Sequence, residues 1–189
     1  MSAYELPTSL NIRGVDYSIR SDFRAILDVL IALNDKELDD SDKALVLLQI
    51  VYVNWKDIPR DCLQTAIEKA MDFISCNCKD DKKPKPQLVD WEQDASLIIP
   101  AINKVAHTEI RAVEYLHWWT FFSYYMEIGE SLFASVVSIR QKRAKGKKLE
   151  KHEQEFYREN KTLIDFNKSE KRSKEEQEML RDYFGYKKK

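Results

Sequence analysis

Glycine and proline are scarce here, with four and five in 189 residues. A sandwich or barrel needs frequent turns, and a glycine-rich phosphate cradle needs clustered glycines, so neither is expected. Cysteine is scarce as well. Three, an odd number, do not make a disulfide framework, and a reducing cytosol is the expected compartment. No run approaches the roughly 20 apolar residues of a membrane span, so no membrane is an expected partner. The first ten residues, MSAYELPTSL, lack the basic start and apolar centre of a secretory signal. Charge of one sign is missing too: 31 basic and 32 acidic side chains leave a net of −1. That balance excludes a uniformly basic nucleic-acid binder.

What is present is apolar periodicity and a charge asymmetry. Residues 1–140 hold 15 Lys and Arg against 22 Asp and Glu, whereas 141–189 hold 16 against 10. An acidic body thus carries a basic tail. Leu10, Ile12, Val15, Tyr17 and Ile19 keep alternate positions apolar around Arg13-Gly14, which predicts a hairpin that must lie on helices or on another chain. Ser21 is placed to cap a helix in which Phe23, Ile26, Leu27, Leu30 and Ile31 share a face. The acidic run Asp39–Asp42 caps a second helix, with Ala44, Leu47, Leu48, Val51 and Tyr52 as its stripe. Pro59 opens a third, carrying Leu63, Ala66, Ile67, Ala70 and Ile74. Lys79 to Pro86 has two prolines and no apolar residue, and reads as a linker between two helical halves. After it, Pro100 is expected to kink or split the helix of Ile98, Ile99 and Ile102. Gly129 separates an aromatic helix from one through Phe133, Val136, Val137 and Arg140. Beyond Lys145-Gly146 the anchors thin to Leu149, Phe156, Leu163 and Phe166, and a capping box, Ser173 with Glu176, starts a last short helix. The expected fold is mainly α: a multi-helix bundle with a small N-terminal β-hairpin and a charged helical C-terminal extension. Its parts are residues 1–78, a linker at 79–89, an aromatic-rich part at 90–145 and a tail at 146–189.

Chemistry-bearing sets do not assemble. Cys76-Asn77-Cys78 has the wrong spacing for structural zinc, and Cys62 lies about 21 Å away along a straight helix. His107 and His117 are ten apart, not the four that would pair them on one helix face. No nucleophile elbow, phosphate loop or deaminase signature occurs, so no catalytic residue, metal or cofactor is expected and the protein is not read as an enzyme. The aromatic segment is the stronger signal. His117, Trp118, Phe121, Phe122 and Tyr125 fall on one face, with Trp119 and Met126 beside it, leaving little of the helix polar. Core packing is the general expectation for such a stripe, yet Trp, Tyr and Met are also the residues enriched at interfaces. The candidate partner-binding set is Trp118, Trp119, Phe121, Tyr124, Tyr125 and Met126. Within the segment, Trp118 and Phe122 are expected nearer the core, and Trp119, Tyr124 or Met126 nearer the partner. A second set, the basic patch Arg140, Lys142, Arg143, Lys145, Lys147 and Lys148, has enough cations to neutralise several phosphates. Glu150, Glu153, Glu155 and Glu159 follow at once and would repel a duplex, so nucleic acid is not the expected partner.

Leu116-His117-Trp118-Trp119-Thr120-Phe121, Ser138-Ile139-Arg140-Gln141-Lys142 and Lys147-Lys148 resemble the bacteriophage gp-fifteen family. Ser21-Asp22-Phe23-Arg24, Ile58-Pro59, and Asp90-Trp91 with Gln93-Asp94 fit the same resemblance, which spans nearly the whole chain. It implies no enzyme activity and no cofactor. It also implies a gene between the major tail protein and the tape measure protein, where tail assembly chaperones are encoded. The expected partner is then the phage tape measure protein, with the major tail protein and a second copy of the chain as further partners. The expected location is the host bacterial cytoplasm rather than the mature virion. The other readings are a connector or completion protein within the virion and a nucleic-acid-binding accessory protein.

Overall fold

A computed structural model describes residues 4–78 and 86–167, with 173, 175, 176 and 179 as isolated positions. The protein is mainly α, with eight α-helices and one two-stranded antiparallel ribbon among the described residues. Strands β1 (Ser9–Ile12) and β2 (Val15–Ser18) pair with Ile12 opposite Val15. Arg13 and Gly14 both take positive φ, at 49° and 92°, which matches the turn to the strand twist. The Asn11 side chain accepts the Gly14 N–H at 3.0 Å. Leu10 and Ile12 are buried, and β1 packs on α3 (Leu63–Ile74), so the ribbon finds its support within the chain.

Helix α1 (Phe23–Asn34) buries Phe23, Ile26 and Val29. Its cap is Asp22 rather than the expected Ser21: the Asp22 carboxylate accepts the Arg24 N–H at 3.0 Å. Ser21 is occupied elsewhere, its hydroxyl bonded to the Tyr115 hydroxyl and its carbonyl accepting the Trp118 N–H. Helix α2 (Asp40–Val51) is capped by Asp39, within the acidic run that predicted it. Pro59 leads into a 3₁₀ turn, Arg60–Cys62, that continues as α3. The buried Tyr52 hydroxyl donates to the Ala66 carbonyl at 2.8 Å, tying the end of α2 to α3.

Helix α4 (Ala95–Ala106) runs unbroken through Pro100, so the division into two short helices does not occur. Proline removes one intrahelical donor, here to the Ser96 carbonyl, and both residues are exposed, where water replaces the bond. Next come α5 (Trp118–Met126), α6 (Leu132–Ala144), α7 (Lys151–Glu159) and α8 (Lys161–Ile164). One apolar core extends from Leu10 to Phe133, so the segments on either side of the proposed linker bury their stripes against each other. Of that linker, residues 79–85 lie outside the described residues. A smaller cluster joins Val136 and Ile139 of α6 to Ile164, with Leu97, Leu149, Phe156 and Leu163 around it. The charged segment after Gly146 therefore folds back onto α6 as far as residue 166. The final helix lies mostly outside the described residues, but its capping box is present, with Ser173 and Glu176 exchanging side-chain-to-backbone bonds. No described helix is long and apolar enough to cross a membrane.

Candidate partner-binding surface

The aromatic helix begins in a set of ties to distant segments. Residues 21–23 lie beside 116–118 in strand-like fashion, with Phe23 N–H donating to the Leu116 carbonyl and Trp118 N–H to that of Ser21. The Asp22 carboxylate also accepts the Leu116 N–H. Arg24 reaches the carbonyls of Ile110, Arg111 and Val113, which fastens the loop before α5. In that loop, hydrogen bonds from the Arg111 side chain and backbone push Glu109 down to about 2.

His117 caps α5. Its Nδ1 accepts the Trp119 N–H at 3.0 Å, so the ring proton sits on Nε2, 2.9 Å from the Pro7 carbonyl. The two indoles then reach the end of α3: Trp118 Nε1 donates to the Ile74 carbonyl and Trp119 Nε1 to the Phe73 carbonyl, both at 2.9 Å. A helix C-terminus leaves carbonyls without intrahelical donors: Trp118 supplies one to Ile74, and Trp119 adds a second to the Phe73 carbonyl, which also accepts the Cys76 N–H. Phe121 stacks on Phe23 with ring centroids 4.6 Å apart. Trp118 (1% exposed) and Phe121 thus belong to the core and offer no surface to a partner. Phe122, expected deep, is only partly buried. Trp119, Tyr124 and Tyr125 are half-buried, and Met126 stands 65% exposed at the helix end.

Past Met126 the chain turns through Glu127–Ser131 into α6, whose first residue, Leu132, is 47% exposed. Glu127 and Glu130 are exposed in this turn. Exposed apolar side chains thus stand on both sides of this turn, Met126 at the end of α5 and Leu132 at the start of α6, with Tyr115 exposed ahead of the helix. Leu132 was outside the sequence-derived set, because a lone leucine at a helix start gives no signal of exposure.

The basic stretch divides. Arg140 is 4% exposed and makes a bidentate pair with Asp94, at 2.6 and 2.9 Å, while Asp94 is 1% exposed. Its other donors go to the carbonyls of Leu88, Leu163 and Ile164, and its plane covers the Phe166 ring. Arg140 is thus not part of a surface patch: Asp94, the Leu88 carbonyl and the 163–166 segment take up all its donors and one face of its plane. Lys142 pairs with Glu153 at 2.6 Å, and Arg143 with Asp165. The Lys142 hydrogen bond holds Glu153 below its ordinary range. Burial pushes Asp165 up, but the Arg143 and Tyr157 hydrogen bonds outweigh it and hold the carboxyl down. Arg143 is exposed beside its Asp165 partner, and Lys145, Lys147 and Lys148 are exposed around Gly146, whose φ of +64° ends α6. There the Lys147 N–H returns to the Lys142 carbonyl.

Residues 3–166 match the family described as Bacteriophage Gp15 protein. The chain belongs to that family. Membership makes it a phage protein with a part in particle structure or assembly. No curated protein and no solved structure matches the chain. In this family member the sequence pieces that carry the resemblance turn out to be joints: Ser21–Arg24 fastens to 110–118, the His117-Trp118-Trp119 run to Pro7 and α3, and Arg140 to Asp94. Among the described residues, no three His, Cys, Asp or Glu side chains gather as metal ligands.

Proposed function

We propose that the protein is a tail assembly chaperone, a non-enzymatic factor that holds the phage tape measure protein in the host cytoplasm while the tail is built. The observation that carries this reading is the exposure of Met126 and Leu132 on either side of the α5–α6 turn, on a helical body of a bacteriophage family. A tape measure presents long helical apolar stripes, and a methionine–leucine–tyrosine surface adapts to many such stripes without strict sequence demands. Several weak contacts along one extended client then act together. The major tail protein and a second copy of the chain are the further partners this reading admits.

Co-expression of the tagged protein with the tape measure protein of the same phage tests it. The tape measure should co-purify and stay soluble, and mass spectrometry of purified virions should find none of the chaperone. Abundant protein in virions, with no tape measure retained, would instead identify a connector or completion component.

A further inference from the structure

Helix α6 carries two apolar faces. Phe133 and Val137 turn toward the main core, whereas Leu132, Val136 and Ile139, with Arg143 further along, form one stripe at i, i+4, i+7 and i+11. The end of that stripe is open at Leu132. Its middle is covered on one side by Leu97 of α4 and on the other by α8 with side chains of α7, which together add only Ile164 to the fully buried set. Helix α7 is amphipathic but buries none of its residues completely.

What holds this cover is mostly polar. Lys142 and Arg143 on α6 grip Glu153 and Asp165 of the cover. The Gln93 side chain donates to the Asp165 carbonyl and accepts the Asn167 N–H. Arg140, fixed by Asp94, donates to the last carbonyls of α8, those of Leu163 and Ile164. Such carbonyls are the unsatisfied groups that any helix presents at its C-terminus. The seat therefore recognises three general features: an aliphatic stripe, flanking carboxylates and a helix C-terminal end.

We infer that this seat is a client groove, and that α7–α8 is a built-in strap occupying it until a client helix takes its place. The occupant is an amphipathic helix with an aliphatic stripe bordered by Asp or Glu. It first touches the open Leu132 end, then displaces the strap along the same face of α6. This rests on the chaperone reading for the identity of the client. The strap's charges supply the template: carboxylates at the positions of Glu153 and Asp165 meet Lys142 and Arg143, and the client's own last carbonyls replace those of Leu163 and Ile164 on Arg140.

The test loosens the strap without altering the seat. Glu153→Gln combined with Asp165→Asn removes both carboxylates and leaves Lys142, Arg143, Arg140 and Asp94 untouched. The probe is a set of overlapping fragments of the tape measure protein encoded by the same phage. Both pairs are partly open to solvent and therefore of modest strength, so the double variant should bind its fragment roughly 3- to 10-fold more tightly than the parent. Amide hydrogen exchange should quicken across residues 151–164 and stay unchanged in α1 and α3. Leu132→Asp should weaken binding by about 10-fold or more with no change in that exchange, as loss of a contact residue does. Faster exchange in the strap with unchanged or weaker binding would overturn the groove while leaving wild-type binding, and so the chaperone reading, intact. If no fragment binds either form, both the chaperone reading and the groove fall.

Discussion

Trp118 and Met126 lie on the same nine-residue helix and have opposite roles. The first is sealed in the core and bonded to the Ile74 carbonyl, so Trp118→Ala removes both its packing and a donor to that carbonyl. A loss of about 3–5 kcal/mol is expected, read from the shift of a urea or thermal unfolding curve. Met126→Ala should leave stability within about 0.5 kcal/mol of wild type, as for an ordinary surface change, while reducing tape measure retention in a pull-down. Asp94→Ala belongs with the first kind. It strands a buried guanidinium, and breaking such a pair costs about 3–5 kcal/mol in an unfolding titration. The thiols divide on similar grounds: Cys62 is buried, burial with Cys78 nearby pushes Cys76 up to about 12, and Cys78 is exposed. Mild alkylation at neutral pH should therefore label Cys78 first, with peptide mapping as the check.

The helices were legible in the sequence because burial repeats every 3.6 residues, and the hairpin because Arg13-Gly14 interrupts an alternating run. The joints between them were not. A bond from Trp119 to a carbonyl 46 positions away leaves no local pattern, so the sequence divided the aromatic run between core and partner and gave no sign of the clasp. Arg140 did leave a trace, since its spacing from Phe133, Val136 and Val137 put a cation on an apolar face. Its neighbours' positive charge drew it into a patch, and its partner Asp94 lies 46 residues away on the approach to α4. Element-level behaviour follows from the same contacts. Glu153 and Asp165 both sit below their ordinary values, so they stabilise the α7–α8 attachment above about pH 4. That contribution is lost as pH falls through the depressed values. Hydrogen exchange in residues 151–164 should accelerate on acidification while α1 and α3 remain protected.

As a whole the molecule is one large core with a smaller satellite rather than two halves on a hinge. The two sides of the 79–85 segment share the Phe23–Phe121 stack and the ties between α3 and α5, so they should unfold together. Circular dichroism and tryptophan fluorescence are expected to report one transition for this core. The satellite cluster has its own small set of buried residues and should open at lower denaturant, visible as early exchange in residues 151–164.

The clasp of Trp118 and Trp119 on the end of α3 also sets a schedule. A ribosome finishes α3 at Ile74, and the two indoles that donate to the Phe73 and Ile74 carbonyls are added some 45 residues later. At synthesis rates of about 5–20 residues per second, that is a wait of roughly 2–9 s. Throughout it, Phe73, Ile74 and Phe23 have no aromatic cover, and Pro7 has no His117 to bind it. The growing chain thus carries the end of α3 and the start of α1 without these partners until the motif at 117–121 is made.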